Sequence, residues 1–366
     1  MSLTPGVSYV NIMLALTSDR RSCRMNLKRV RIEDVALAAG VSTQTVSRVV
    51  NNRPEVLPAT RQRVLDAISL LGYEPSLFAR GLAGSKSHII GMIAEDLSEP
   101  MMAHFIAAVE LEAKRRGYFL LVSSNINPDP ENPIYARMLA SRHVDGILFS
   151  RLGEAQQEKQ YLQDLLAQNI PLVALGDWRE AQGMVSSVGL DEVDGGYQAT
   201  RYLLDLGHRQ IGLITGPSEN SAAINRRKGY EQALAEFGIA FDPSLLAEGD
   251  WTFGSGFRAA IALLQRHPEV TAMFCENDRM AIGAIQAIQQ SGRRVPEDVS
   301  IIGFDDIPDA AYANPALTTM RQSAEKIGEM AAQMLFEKIE NPSLPVQRIE
   351  MKAALVERNS CKKCSQ

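Results

Sequence analysis

Between residues 31 and 51, in RIEDVALAAGVSTQTVSRVVN, apolar residues recur twice at helical spacing. Val35, Ala36 and Ala39 form one stripe, and Val46, Val49 and Val50 form another, which predicts two short amphipathic helices. Gly40 stands where the chain must turn sharply, and glycine takes positive φ without steric cost. Ser42 is placed to cap the second helix. A third helical pattern, Pro58–Leu71, puts Val64, Leu65, Ile68 and Leu71 on an apolar face and completes a small all-α head over residues 27–74. Residues 75–85 follow as a linker in which Ser76 can cap a short helix holding Leu77, Phe78, Ala79 and Leu82, before Gly84-Ser85 loosens the chain.

From His88 the period changes. Short β-rich runs stand at Ile89–Ile93, Phe119–Ser123, Gly146–Phe149, Leu172–Leu175, Ile211–Thr215, Ala272–Cys275 and Val299–Phe304. Helical patterns separate them, at Met102–Arg116, Tyr161–Gln168, Gly195–Leu206, Ala222–Phe237, Gly256–Arg266, Arg279–Ser291 and Ala324–Ile339. Strands alternating with helices imply parallel sheets with right-handed crossovers. More than 250 residues of such a pattern predict two α/β lobes. In open α/β sheets ligands sit beyond the carboxyl ends of the strands, so residues just after those strands are the candidates for binding.

Charge sharpens this division. The net charge is −5, yet residues 25–85 carry eight Lys/Arg against five acids and residues 1–24 are also basic, which leaves an acidic body of −10. A basic head on an acidic body suggests that the head alone meets a polyanion. No apolar run approaches the ~20 residues of a membrane span. The apolar stretch Val10–Leu16 is short and precedes its arginines, the wrong order for a secretory signal, so a cytoplasmic protein is expected. Residues 1–26 show no periodicity, and Met25 would be a sensible start; they read as a disordered or wrongly assigned extension. The four cysteines, Cys23, Cys275, Cys361 and Cys364, are not a disulfide framework. Cys361 and Cys364 lack the second pair a zinc site needs and fall in a polar segment, 359–366, which reads as a disordered, reduced tail. No metal and no cofactor is expected.

On the second helix of the head, Thr43, Gln44, Ser47 and Arg48 face away from the apolar stripe. They are hydrogen-bonding residues of the kind that read base edges and phosphates, in the half of the helix that enters the major groove in helix-turn-helix proteins. A plain surface αα-hairpin is the alternative, and the basic balance argues against it.

Several segments, in order, carry a resemblance: VRIEDVALAAGVSTQTVSRVVN, GYEPSLFARGLAG, LGHRQIGLITGP, GDWTFGSGF, ENDRMAIGAI, VSIIGFDDIP and NPALTTMRQ. Over about residues 27–358 the chain resembles the lactose/galactose repressor family of bacterial transcriptional regulators. The resemblance implies a helix-turn-helix head, a hinge helix, and a two-lobed core like type I periplasmic sugar-binding proteins, with three strands crossing between lobes. The N-lobe would comprise about 86–189 and 321–340, and the C-lobe about 190–320 and 341–358. By position, Thr43, Gln44 and Arg48 match the family's base-reading residues, and Asn51 and Arg53 would touch phosphates. Leu82 matches the hinge leucine that wedges into the minor groove, with Ala79 allowing close approach; packing of Leu82 against Phe78 is the alternative.

The same resemblance implies a sugar-like effector in the cleft and a homodimer on a pseudo-palindromic operator. Vicinal hydroxyls call for a guanidinium fork, carboxylate acceptors and amides, with an aromatic face for C–H bonds. Asp96, Trp251, Asn277 and Asp305 stand at the expected strand ends or in the adjoining loops, and Arg226 matches the family's effector-binding arginine by position. Asn277-Asp278 as helix caps and Asp305-Asp306 as a turn are the simpler readings of those pairs; for Asp278 the cap is preferred. The chain departs from the family at Asp96-Leu97-Ser98-Glu99-Pro100-Met101-Met102, where Asn before the proline and two aromatics after it are usual. Met101 and Met102 would give an adaptable apolar wall. After the fourth strand, either Gly176 or Asp177 faces the ligand.

Two other classes compete with this reading. A periplasmic-type solute receptor would share the core but not the head. An enzyme is the other, and the chain carries no P-loop, HExxH, nucleophile elbow or Gly-rich dinucleotide fingerprint to support it.

Overall fold

The computed structural model describes residues 30–51, 53–73, 86–94, 97, 100–124, 144–150, 163, 165–176 and 183–364. The chain divides into two compact units, Met1–Gly84 and Ser85–Gln366.

In the first unit, α1 (Ile32–Ala39), α2 (Thr43–Val50) and α3 (Pro58–Leu71) enclose a core of Val35, Ala36, Ala39, Val46, Val49, Val64 and Ala67. Gly40 ends α1 in the left-handed region at φ 62°, and the Val41 N–H reaches back to the Ala36 carbonyl, which satisfies carbonyls the helix end leaves open. Ser42 caps α2, its hydroxyl oxygen accepting the Thr45 N–H at 3.2 Å. The third helix has the expected bounds, but its inward face differs. Leu65 is 44% exposed while Ala67 is buried. At 100° per residue Leu65 rotates off the line through Val64, Ala67, Ile68 and Leu71.

The second unit holds two six-stranded sheets. The first sheet contains β1 (Ile89–Ala94), β2 (Phe119–Ser124), β3 (Gly146–Phe149), β4 (Leu172–Leu175) and β5 (Ser186–Leu190), all parallel where paired. Helix α4 (Pro100–Arg115) lies between β1 and β2 in sequence. Runs such as GILF and LVAL are buried on both faces, as parallel strands covered by helices must be. The chain then crosses at Asp191 into α5 (Glu192–Asp205) and the second sheet: β6 (Ile211–Thr215), α6 (Ser221–Glu236), β7 (Leu246–Glu248), α7 (Phe253–Arg266), β8 (Ala272–Cys275), α8 (Asp278–Gln290), β9 (Ser300–Asp305), α9 (Pro308–Tyr312) and β10 (Thr318–Arg321). It returns through Gln322 to α10 (Ala324–Glu340), whose Ile327, Ala331 and Leu335 pack with α4 in the first lobe's core. Strand β11 (Arg348–Met351) joins the first sheet beside β5, and β12 (Ala354–Val356) joins the second, antiparallel to β10. Three segments therefore cross between the lobes, as expected.

Two boundaries need correction. The expected C-lobe segment 341–358 contains β11, which pairs in parallel with Ser187–Leu190 of the first sheet; the last crossing lies at Lys352-Ala353. The expected disordered tail is instead packed through Cys364. Ser360 is 0% exposed; its hydroxyl donates to the Ile301 carbonyl at 2.6 Å and accepts the Thr318 N–H at 2.8 Å. The Lys362 N–H donates to Ser300, and that of Cys364 to the Leu206 carbonyl. Backbone and hydroxyl hydrogen bonds order this segment, and an apolar pattern could not reveal them.

Candidate functional site

On α2 the two faces separate. Val46 and Val49 are buried, Thr43, Gln44 and Arg48 are exposed, and Ser47 is half-buried. Asn51 closes the helix, and its amide donates to the Ser47 hydroxyl at 3.3 Å. Arg53 is exposed, with its carbonyl accepting from the Arg61 guanidinium. An exposed polar edge thus runs from Thr43 through Gln44 and Arg48 to Arg53. Ala79 and Leu82 lie outside the described residues, as do Asp96 and Asp177.

The second lobe brings distant residues together at the carboxyl ends of its strands. Arg226, from the first half of α6, is 5% exposed. Its Nε donates to Glu192 Oε2 at 2.7 Å, Nη1 donates to the Glu276 carbonyl, and Nη2 lies 3.9 Å from Asp305 Oδ1. The guanidinium carbon stands 3.7 Å from the Phe304 ring centroid and 5.9 Å from that of Trp251. Burial alone would lower the guanidinium's pKa, but Glu192, Asp305 and Glu276 outweigh it and raise the value, so the cation is fixed. Trp251 is held at φ 68° and packs against Gly216, where an added Cβ would fall 2.0 Å from the indole.

Asp305 and Asp306 both have positive φ, 109° and 61°, a costly conformation for residues with a Cβ. Their carboxylates point to different partners. Asp305 Oδ1 accepts from Gln322 at 2.6 Å, at one of the crossings. Asp306 accepts from Arg321 and Arg358, each at 2.6 Å. Asn277 is drawn into the framework: its Oδ1 caps α8 at the Met280 N–H and its amide donates to the Trp251 carbonyl at 3.0 Å. Asp278 is not the cap. Its carboxylate accepts the Ile307 N–H at 2.8 Å and the Thr319 hydroxyl at 2.5 Å. Burial, then the nearby Asp305 charge, raises its pKa well above the usual range.

In the first lobe, Met101 is half-buried in the opening turn of α4, and Gly176 follows β4 at φ 97°. Met102, expected with Met101 on the wall, is 8% exposed and belongs to the core. Sequence reasoning missed Glu276. It follows the apolar strand AMFC, is fully buried, and accepts the Gly216 N–H at 2.8 Å through Oε2. Burial pushes its pKa up to about 8. The signal available was a carboxylate placed directly at the end of a buried strand. Among the described residues no cluster of side chains has metal-holding geometry, and no helix is long and apolar enough to cross a membrane.

A three-helix head with an exposed polar recognition helix, followed by two parallel α/β lobes joined by three crossings, defines a DNA-binding regulator with a two-lobed ligand-binding core. Comparison with known proteins agrees. Residues 31–76 match the model of "Bacterial regulatory proteins, lacI family", and residues 200–361 that of the "Periplasmic binding protein-like domain". The chain is 40% identical over 332 residues to the HTH-type transcriptional repressor PurR of Proteus mirabilis (strain HI4320), covering 90% of this chain and 96% of the relative. It is 38% identical over 335 residues to PurR of Escherichia coli O1:K1 / APEC, with the same coverage. Among solved structures it resembles the lac repressor dimer bound to operator and the anti-inducer ONPF, with TM-score 0.81, 31% identity, and coverage of 91% of this chain and 99% of that one. It also resembles the transcriptional regulator CelR in complex with cellobiose, with TM-score 0.70, 33% identity, and coverage of 91% and 100%. The chain belongs to the lacI family of bacterial regulatory proteins; it is a DNA-binding transcriptional regulator and not an enzyme.

Proposed function

We propose that this protein is a cytoplasmic homodimeric repressor of carbohydrate-utilisation genes. It reads a pseudo-palindromic operator and is controlled by a sugar or sugar derivative in the cleft between its lobes. The exposed polar face of α2 carries this reading. Thr43, Gln44, Ser47 and Arg48 are assigned to base edges, where a good bidentate pair is worth about 1–3 kcal/mol of discrimination. Asn51 and Arg53 are assigned to phosphates, which position the head without specifying sequence. Leu82 is assigned to a minor-groove wedge, with Ala79 permitting close approach.

The effector is assigned to Arg226, Trp251, Asn277 and Asp305 from the second lobe, and to Asp96, Met101 and Asp177 from the first. Asn277 acts there by holding Trp251. Support for the assignment is the convergence of a fixed guanidinium, carboxylate acceptors and an indole at the carboxyl ends of one sheet. Support for self-association is the edge strand β2, with Phe119 55% and Leu121 46% exposed, since an exposed apolar edge suits pairing. Effector binding shifts operator affinity only by its differential affinity for the two lobe arrangements.

Thermal unfolding across sugars, sugar acids, polyols and nucleobases tests the effector class. A ligand at 100 times its Kd adds about 2.7 kcal/mol. A shift with a sugar supports the reading, whereas a shift only with a planar base keeps the cleft and overturns the sugar.

A further inference from the structure

Glu276 has no part in the assignments above, yet it sits at their centre. Its Oε2 accepts the N–H of Gly216, at the end of β6 and directly under Trp251. Its backbone carbonyl accepts from Arg226 Nη1. Its Oε1 is buried without a hydrogen-bond partner, alone in this among the buried side-chain atoms of the described residues. We propose that Glu276 is a positioning residue of the effector site: from beneath, it fixes the β6 end, the Arg226 guanidinium and, through Gly216, the Trp251 indole. This rests on the assignment of Arg226 and Trp251 to the effector.

The geometry says in which form it works. An ionised carboxylate with one buried oxygen that no protein group donates to is costly, whereas a neutral acid group gives up far less hydration. Because Oε2 accepts from Gly216, the proton belongs on Oε1. The groups facing it are Arg226 and Arg227 from α6 and Glu192 from α5, with Asp278 two residues along its own chain. Arg226 is already engaged by Glu192 and Asp305. A new charge on Glu276 would compete for that guanidinium and shift the surface on which Trp251 rests. Its raised pKa, about 8, places this ionisation within reach of mild alkali.

Trp251 reports the change without any effector or DNA, so a failed search for an effector would not bear on the result. The protein has two tryptophans, so Trp178→Phe in the full chain leaves Trp251 as the single emitter. Its fluorescence is followed from about pH 6 to about pH 9.5, a span that brackets the ionisation of a strongly raised carboxyl. The expected result is an inflection near 8. Glu276→Gln, which keeps the neutral shape, should hold the low-pH spectrum throughout, while Glu276→Ala should be shifted at every pH. A flat parent, a Glu276→Gln protein that titrates like the parent, or one that fails to fold by circular dichroism would each overturn the proposal.

Discussion

Arg226→Met is the sharpest test of the second-lobe cluster. The substitution keeps much of the side-chain volume and removes the charge. It leaves Glu192, 2.7 Å away and with its side chain 14% exposed, without its cation. Asp305, also 14% exposed, loses its neighbour at 3.9 Å, although Gln322 still donates to it. The Glu276 carbonyl loses a donor, and Phe304 gains an apolar neighbour in exchange for a cation. Removing one partner of a buried ion pair costs about 3–5 kcal/mol. Gln322 and the residual exposure of both carboxylates place this case at the lower end, about 3 kcal/mol. At roughly 2–4 °C per kcal/mol for units of this size, calorimetry should show the core transition falling by about 6–12 °C. The double variant Arg226→Met with Glu192→Gln should recover part of the loss, because Glu192, the closer of the two carboxylates, is then no longer left charged without its cation. A single-variant shift below about 2 °C, with no recovery in the double variant, would refute the picture of a guanidinium held by these groups.

Stability should also depend on pH through the buried acids. Glu276 and Asp278 both have folded pKa values raised above their unfolded ones. Their contribution is therefore full below the ordinary carboxylate range and declines as pH rises, for Glu276 until about 8. Each contributes a slope of up to about 1.4 kcal/mol per pH unit. Burial lowers the His208 pKa and acts with the opposite sign near neutrality, so the comparison is made with Glu276→Gln: denaturant midpoints of the variant should fall less steeply between about pH 5 and pH 8. Equal slopes would contradict the burial of a neutral acid. In the head, Gln44→Ala should weaken operator binding while sparing non-specific binding. Arg53→Ala should weaken both and lower the salt slope by about one unit; equal losses from Gln44→Ala in a gel-shift titration would remove its base-reading role. Ser360→Ala should cost about 1–3 kcal/mol in urea unfolding, since it strands the buried Thr318 N–H and leaves the Ile301 carbonyl only the weaker Cys361 thiol donor. A neutral effect would mean the Ser360 hydroxyl contributes no net stability.

Much of the fold is legible where a strand is a short apolar run or a helix has one apolar face. GILF, LVAL and AMFC read as buried parallel strands because their neighbours on both faces are helices. The division of α2 into Val46/Val49 and Thr43/Gln44/Arg48 follows from the 3.6-residue period alone. Strand β5, SSVGL, was not legible: Ser-Ser and Gly suit turns as well as strands, and what fixes the strand is remote. Ser186 accepts the Gln347 N–H from 161 positions away. The edge strands β11 and β12, of four and three residues, carry no periodicity to read. At the cleft, strand ends could be read but pairings could not. Glu276 looks like a surface carboxylate until Gly216, 60 positions away, and Arg226, 50 away, close over it. Asn277 and Asp278 show the same limit from the other side. Adjacent in sequence, they serve Trp251 and the Ile307–Thr319 region respectively.

As proposed, two copies of this head read a dyad-symmetric site. Selection of binding duplexes from a random pool by the full-length purified protein tests it directly, because the chain itself then defines its operator. Enrichment of a pseudo-palindrome is expected, with half-sites that change when Gln44 and Arg48 are substituted, since dyad proteins demand dyad sites. Enrichment of a single asymmetric motif, or no motif above background, would contradict it.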